Sequence, residues 1–157
     1  MRTLGKEFGG SSSYKSSARV MTETLEDLMG ADLGELRISD GSGLSRENFV
    51  SPAFLASFLM AMRESPVQEA FLKSLPSPAS EGTMQSFMTD YPQEVKARIR
   101  LKSGSMTGVR CYSGYILPST AGKPVLTFSI MANNFTATQY QMQKQIERAI
   151  ARLAAWN

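Results

Sequence analysis

Two polar stretches of this 157-residue chain carry residue types that could do chemistry. The first is Ser39-Asp40-Gly41-Ser42-Gly43-Leu44-Ser45-Arg46-Glu47-Asn48, a double-glycine loop set between a short apolar strand and a strongly apolar helix. It is too polar to be core. Gly41 and Gly43 open backbone angles closed to other residues and remove side chains that would block a ligand, so hydroxyls and the Asn48 amide can converge on one point. The same residue types build ordinary turns, so the loop taken alone fits a site or a turn. The second stretch is Arg98-Ile99-Arg100-Leu101-Lys102-Ser103-Gly104-Ser105, where basic and apolar residues alternate up to a glycine. Period two predicts a strand with Ile99 and Leu101 facing a core. Arg98, Arg100 and Lys102 then share the opposite face, where a row of cations meets an anionic ligand or simply water. The chain has no histidine. That removes Ser-His-Asp catalysis, histidine bases and the usual zinc sites, so a serine nucleophile here must use lysine.

Taken together, Asp-Gly-Ser-Gly-Leu-Ser-Arg-x-Asn at 40–48 and Lys-Ser-Gly-Ser at 102–105 resemble the second and third motifs of the penicillin-recognising serine enzymes. More narrowly, they resemble those of the D-alanyl-D-alanine carboxypeptidases and endopeptidases of the S13 peptidase family. The resemblance runs over essentially the whole chain. It implies the last part of a β-lactamase or transpeptidase-like fold, acyl-enzyme chemistry on the D-Ala-D-Ala end of peptidoglycan stem peptides, β-lactams as further ligands, and no metal or organic cofactor.

Such enzymes use a Ser-x-x-Lys bearing the nucleophile and its lysine base, a Ser-x-Asn that passes protons and holds the substrate amide, and a Lys-Thr-Gly strand. By resemblance, Ser45 relays a proton to the leaving amine, Asn48 bonds the substrate amide, and Ser42 adds a substrate-binding hydroxyl. Asn48 stands three residues after Ser45, one further than the motif has it, with Glu47 in the nearer place. Lys102 would present its charge to the substrate's terminal carboxylate, and Ser103, in place of threonine, a hydroxyl to the same group. Gly104 would clear the ligand's approach, and the Ser105 N–H would form half of an oxyanion hole. The substrate would lie along this strand as an added edge.

A Ser-x-x-Lys does occur at Ser12-Ser13-Tyr14-Lys15, in a Gly/Ser-rich run ahead of the first helical pattern. A lysine base needs the desolvation of a buried helix, so the match reads as chance. In the resemblance the nucleophile lies upstream of the equivalent of Met1. The expectation is therefore the C-terminal part of a longer enzyme, inactive alone and completed by the upstream part of the same enzyme. A reading of another class is a non-catalytic module that holds stem peptides without cleaving them.

The elements that must position these residues are legible from periodicity. Residues 1–17 read as a flexible segment, followed by a helix over 18–29 with Gly30 as its cap. A short strand over 35–38 leads into the loop. Ser51-Pro52 starts a largely buried helix carrying Phe54, Leu55, Phe58, Leu59 and Met62. Ser65-Pro66 starts another with Val67, Ala70, Phe71 and Leu75. Met84, Phe87 and Met88 mark a helical turn broken at Asp90-Tyr91-Pro92. Strands over 98–102, 108–117 and 125–133 follow, joined by turns at 104–108 and 118–123, and short links favour antiparallel neighbours. A helix over 138–155, with Met142, Ile146, Ala149, Ile150 and Leu153 on one stripe, should pack across the sheet. The fold class is α/β in the α+β sense, a three-stranded antiparallel meander covered by helices, in one domain.

An apolar fraction of 42% is enough for a core, and the net charge of +3 is dispersed rather than run together, so nucleic acid is not an expected partner. Cys111 has no second cysteine to bond and reads as a buried thiol. No stretch reaches the apolar length of a transmembrane segment, and the start lacks the layout of a signal peptide, so the chain as written reads as soluble and unexported. The substrate that the resemblance implies lies outside the cytoplasmic membrane, which places the intact protein in the periplasm.

Overall fold

The structure, a computed structural model, describes residues 1–30, 33, 34 and 36–157, in two compact units, Met1–Ser65 and Pro66–Asn157. The first unit holds helices α1 (Arg2–Gly9), α2 (Tyr14–Met29) and α3 (Pro52–Glu64). Its start is helical rather than flexible. The small residues that read as linker are what lets α1 and α2 touch. A Cβ on Gly5 would stand 2.4 Å from Ser17 Oγ, and one on Gly9 would stand 2.3 Å from Ser16 Oγ. Ser16 Oγ also donates to the Gly9 carbonyl at 2.9 Å. Ser13 caps α2 by accepting from the Ser16 N–H, so the helix begins at Tyr14, four residues before the periodicity shows it.

Gly30 closes α2 in the left-handed conformation as expected, its N–H on the Glu26 carbonyl. Of the expected strand over 35–38, residue 35 lies outside the described residues, and Arg37 makes an isolated antiparallel bridge with Phe49 across the polar loop. Ser51 and Pro52 start α3 as the sequence indicates. The helix is not largely buried, however. Leu59 and Met62 are buried, while Phe54, Leu55 and Phe58 are half-buried and Met60 is 60% exposed. Apolar residues surround α3 on more sides than its packing against α2 can cover.

The second unit holds α4 (Gln68–Ser74), a 3-10 turn (Gly82–Met84), α5 (Gln93–Ala97), strands β1 (Ile99–Met106), β2 (Val109–Ile116) and β3 (Leu126–Asn133), and α6 (Gln139–Trp156). Ser65 does not start α4. Its hydroxyl donates back to the Met62 carbonyl at 2.8 Å and finishes α3, so α4 opens only after the Pro66-Val67 turn. The sequence reading missed α5, which is too short to show a period.

The sheet is antiparallel in the order β1-β2-β3. β1 runs on to Met106, and the first turn shrinks to Thr107-Gly108, with Gly108 at φ 70°. The core joins Met84, Phe87 and Met88 to Ile99, Leu101, Tyr112, Ile116 and Phe128 of the sheet and to Ile146, Ile150 and Ala154 of α6. The last helix, opened by a Thr138–Gln141 capping box, therefore covers the sheet as expected, but on a face turned from the expected stripe, since Ile146 and Ile150 are buried with Gln143, Glu147 and Ala154 while Ala149 and Leu153 are exposed. Beneath it, β1 and β2 approach so closely that a Cβ on Gly114 would lie 2.0 Å from the Arg100 carbonyl oxygen.

Candidate active site

The polar loop of the first unit is wired to itself. Asn48 Oδ1 accepts from the Ser39 N–H at 2.7 Å and the Asp40 N–H at 3.2 Å, and its Nδ2 donates to Asp40 Oδ1 at 2.8 Å. Asp40 Oδ2 accepts from Ser42 Oγ at 2.6 Å, and that hydroxyl in turn accepts from the Leu44 N–H at 3.1 Å. These bonds hold the Asp40 carboxyl below its usual range, the Ser42 hydroxyl acting most and the Asn48 amide next. Ser45 Oγ accepts from the Glu47 N–H at 3.2 Å, which leaves its hydroxyl hydrogen uncommitted. Ser42, Ser45 and Asn48 thus share one ordered loop, and Asn48 is mostly occupied in tying it together.

In the second unit the strand residues are sorted by two alternations. Leu117 N–H donates to the Arg98 carbonyl at 2.8 Å, which makes that cross-strand pair a hydrogen-bonded one. Every second pair then follows suit, so Arg100, Lys102, Gly104 and Met106 turn their main-chain groups toward β2. Ile99, Leu101, Ser103 and Ser105 turn theirs off the open edge of β1. The Leu101 N–H meets the Pro76 carbonyl there at 3.0 Å. Among the described residues no main-chain acceptor takes the N–H of Ser103 or Ser105. Side chains alternate as well. Ile99 and Leu101 are fully buried toward α6, as expected, and Ser103 and Ser105 continue on that face.

The expected row of three cations is two. Arg98 precedes the strand in helical conformation, which takes it out of the period-two alternation. Its guanidinium donates to the carbonyls of Leu117 and Ala154 instead, tying the sheet to the last turn of α6. Arg100 and Lys102 remain on the outer face, with the Lys102 ammonium on the Ser103 carbonyl. A Cβ on Gly104 would meet Cys111 Cβ at 3.7 Å, an ordinary contact, so packing does not demand glycine there. Ser103 Oγ donates to Thr83 Oγ1 at 3.4 Å. Ser105 Oγ accepts from Arg110 Nη1 at 3.3 Å. Beyond Ser105 an open groove of about 530 Å³ is lined by Met106, Gly108, Phe135 and Gln139 among others.

Sequence reasoning missed Arg110 and Thr83. Arg110 was within reach, because placing the turn at Thr107-Gly108 sets it opposite Ser105. Thr83 had no signal, since its approach depends on how the turn before β1 folds. The sequence match at Ser12 and Lys15 lies at the exposed start of α2, where Ser13 supplies the cap, and among the described residues no lysine is buried.

The sequence pattern of the D-Ala-D-Ala carboxypeptidase 3 (S13) family matches residues 1–156. Over 85% of its length the chain is 31% identical to a D-alanyl-D-alanine carboxypeptidase of Actinomadura sp., and it spans 24% of that relative. Over 62% of its length it is 35% identical to a penicillin-sensitive carboxypeptidase A of Dictyostelium discoideum, spanning 19% of it. Among solved structures, penicillin binding protein 4 of Haemophilus influenzae in complex with a β-lactam superposes with a TM-score of 0.78 at 21% identity, over 97% of this chain and 35% of that one. A penicillin G-acylated predatory endopeptidase of Bdellovibrio bacteriovorus superposes at 0.68 with 16% identity, over 99% of this chain and 45% of that one. At these identities the structural likeness establishes the fold.

Proposed function

Because the chain belongs to the D-Ala-D-Ala carboxypeptidase 3 (S13) family, we propose that it is the substrate-holding part of a serine D-Ala-D-Ala carboxypeptidase or endopeptidase acting on peptidoglycan stem peptides. The observation that carries this reading is the open edge of β1 at Ser103 and Ser105, whose main-chain groups point away from the sheet. A peptide laid along that edge completes their hydrogen bonds, and the Ser105 N–H is placed to stabilise a developing oxyanion. Lys102 and the Ser103 hydroxyl meet the terminal carboxylate once the ammonium leaves the Ser103 carbonyl. Gly104, which packing does not require, keeps the outer face clear for the ligand.

In the same reading Ser45 carries the proton to the leaving amine with its free hydroxyl hydrogen. Ser42 and Asn48 hold the loop that presents it, and Asn48 keeps one amide hydrogen for a substrate carbonyl. The acylated serine and its lysine base come from outside these 157 residues, in an enzyme of the periplasm to which β-lactams also bind. The second reading, a module that holds stem peptides without cleaving them, is favoured by the exposure of Ser12 and Lys15.

The test is intact mass after incubation with a reactive penicillin, with peptide mapping of any adduct. The expected result is no adduct on this chain alone, and an adduct in a longer form that supplies a buried Ser-x-x-Lys. Lys102→Ala in that longer form should slow acylation by roughly a hundredfold, the scale of losing one preorganised electrostatic partner. An adduct on Ser12 would overturn the assignment of the nucleophile. Saturable binding of stem peptide without acylation in any form would establish the module instead.

A further inference from the structure

A chain of polar groups runs from α6 to β1, buried at Glu147 and Gln143, half-buried at Arg110 and exposed at Ser105. The Glu147 carboxylate is fully buried, and its Oε1 accepts from the Met88 N–H at 3.0 Å and from Gln143 Nε2 at 2.8 Å. Lys144 Nζ donates to Oε2 at 3.0 Å. Gln143, itself buried, gives a second amide hydrogen to the Ser86 carbonyl at 3.0 Å, so its own carbonyl must face the other way, where it accepts from Arg110 Nη2. Arg110 also donates to the Tyr112 hydroxyl at 3.0 Å and to Ser105 Oγ at 3.3 Å. Each group in this chain has its orientation fixed by the one before it.

The consequence falls on Ser105, directly across the ladder from Arg110. Opposite residues in a pair that does not exchange main-chain bonds bring their side chains closest, so a guanidinium here reaches the serine oxygen without strain. A hydroxyl that accepts from a cation has a lone pair occupied and its own hydrogen turned outward. We propose that Arg110, held by Gln143 and Glu147, is a positioning residue that turns the Ser105 hydroxyl into a fixed donor for an anionic group of the ligand on the β1 edge. The inference rests on the reading of β1 as the substrate strand. It adds a second structural origin for carboxylate preference beside Lys102, reached through the core rather than from the surface.

The experiment is a double-mutant cycle on the protein, with binding of a blocked peptide ending in D-Ala-D-Ala measured against its C-terminal amide. Ser105→Ala and Arg110→Gln should each weaken binding of the carboxylate form roughly tenfold, the scale of one charge-assisted hydrogen bond, and should change binding of the amide form little. In the Ser105→Ala background, Arg110→Gln should cost nothing more, which a general loss of folding would not mimic. Thermal melting checks that each variant folds. Should Arg110→Gln fail to fold, Arg110→Lys keeps a cation over Tyr112 without the three-way fork, and its loss should again vanish in the Ser105→Ala background. Losses that add, or an unchanged affinity in Arg110→Gln, would overturn the proposal while leaving the substrate strand in place. A wild-type protein that binds neither peptide would overturn both.

Discussion

The Asp40 carboxyl is held below its usual range by hydroxyl and amide donors, and that sets how the loop responds to acid. A carboxyl depressed in the folded state adds stability above its unfolded value, near 3.8, and loses it as pH falls through the lower folded value. The protection of amides over residues 39–48, relative to the unfolded chain at the same pH, should therefore stay flat from neutral pH down to about 5 and fall in stronger acid. Asp40→Ala should lower that protection at neutral pH, with the difference from wild type shrinking in acid. Cys111 behaves differently. Burial pushes its thiol up, so little thiolate forms at neutral pH. Iodoacetamide should label it more slowly than a free peptide thiol, until denaturant opens the sheet. At Gly114 the limit is space. A methyl group there meets the Arg100 carbonyl oxygen, which belongs to the backbone and cannot step aside. Gly114→Ala should cost about 3 kcal/mol in urea unfolding, at the upper end of overpacking effects.

Among the elements, the turn before β1 is held to α6 by two buried side chains, Gln143 on the Ser86 carbonyl and Glu147 on the Met88 N–H. Met88 takes a positive φ of 56° inside the core, and its N–H is satisfied by Glu147. Glu147→Ala leaves that donor and one hydrogen of the Gln143 amide without their buried acceptor, and should cost about 3 kcal/mol by urea unfolding. Nothing in the sequence marks this. Glu147 lies off the expected stripe of Met142, Ile146, Ala149, Ile150 and Leu153, and is buried because the packed face of α6 is turned toward Gln143 and Ala154. The elements that were legible are those with caps and periods of their own. Gly30, Ser51-Pro52, the alternation of β1 and the helical period of α6 each state their structure locally, although the buried face of α6 is not the expected stripe. The ones that were not legible depend on a partner: α1, whose glycines serve contact with α2; α5, too short for a period; and Arg98, whose conformation removes it from the strand. The site divides the same way. The sequence shows Lys102 to Ser105 as a motif, but the assignment of main-chain groups to the open edge follows from register, which only the two-residue turn determines.

For the whole molecule, the two units differ in how much core they own. The sheet, α6 and the Met84–Met88 turn share one continuous cluster of fully buried side chains, while Val20, Leu33, Leu59 and Met62 are the buried hydrophobics described in the first unit. Residues 66–157 made alone should therefore unfold cooperatively, with the slowest amide exchange in β2, which is bonded on both sides. Exchange as fast in β2 as in β1 would refute that. The free edge of β1 carries one more consequence, which concerns solubility. An unpaired strand is a seam along which a second copy can stitch itself, and this stretch has no proline or bulge to prevent it. Stacking two such edges head to tail about Ser103 brings Lys102 of one molecule close to that of the other. Their repulsion guards the seam, and because salt weakens it, turbidity of concentrated protein should grow as ionic strength rises and subside when a strand-like peptide occupies the edge.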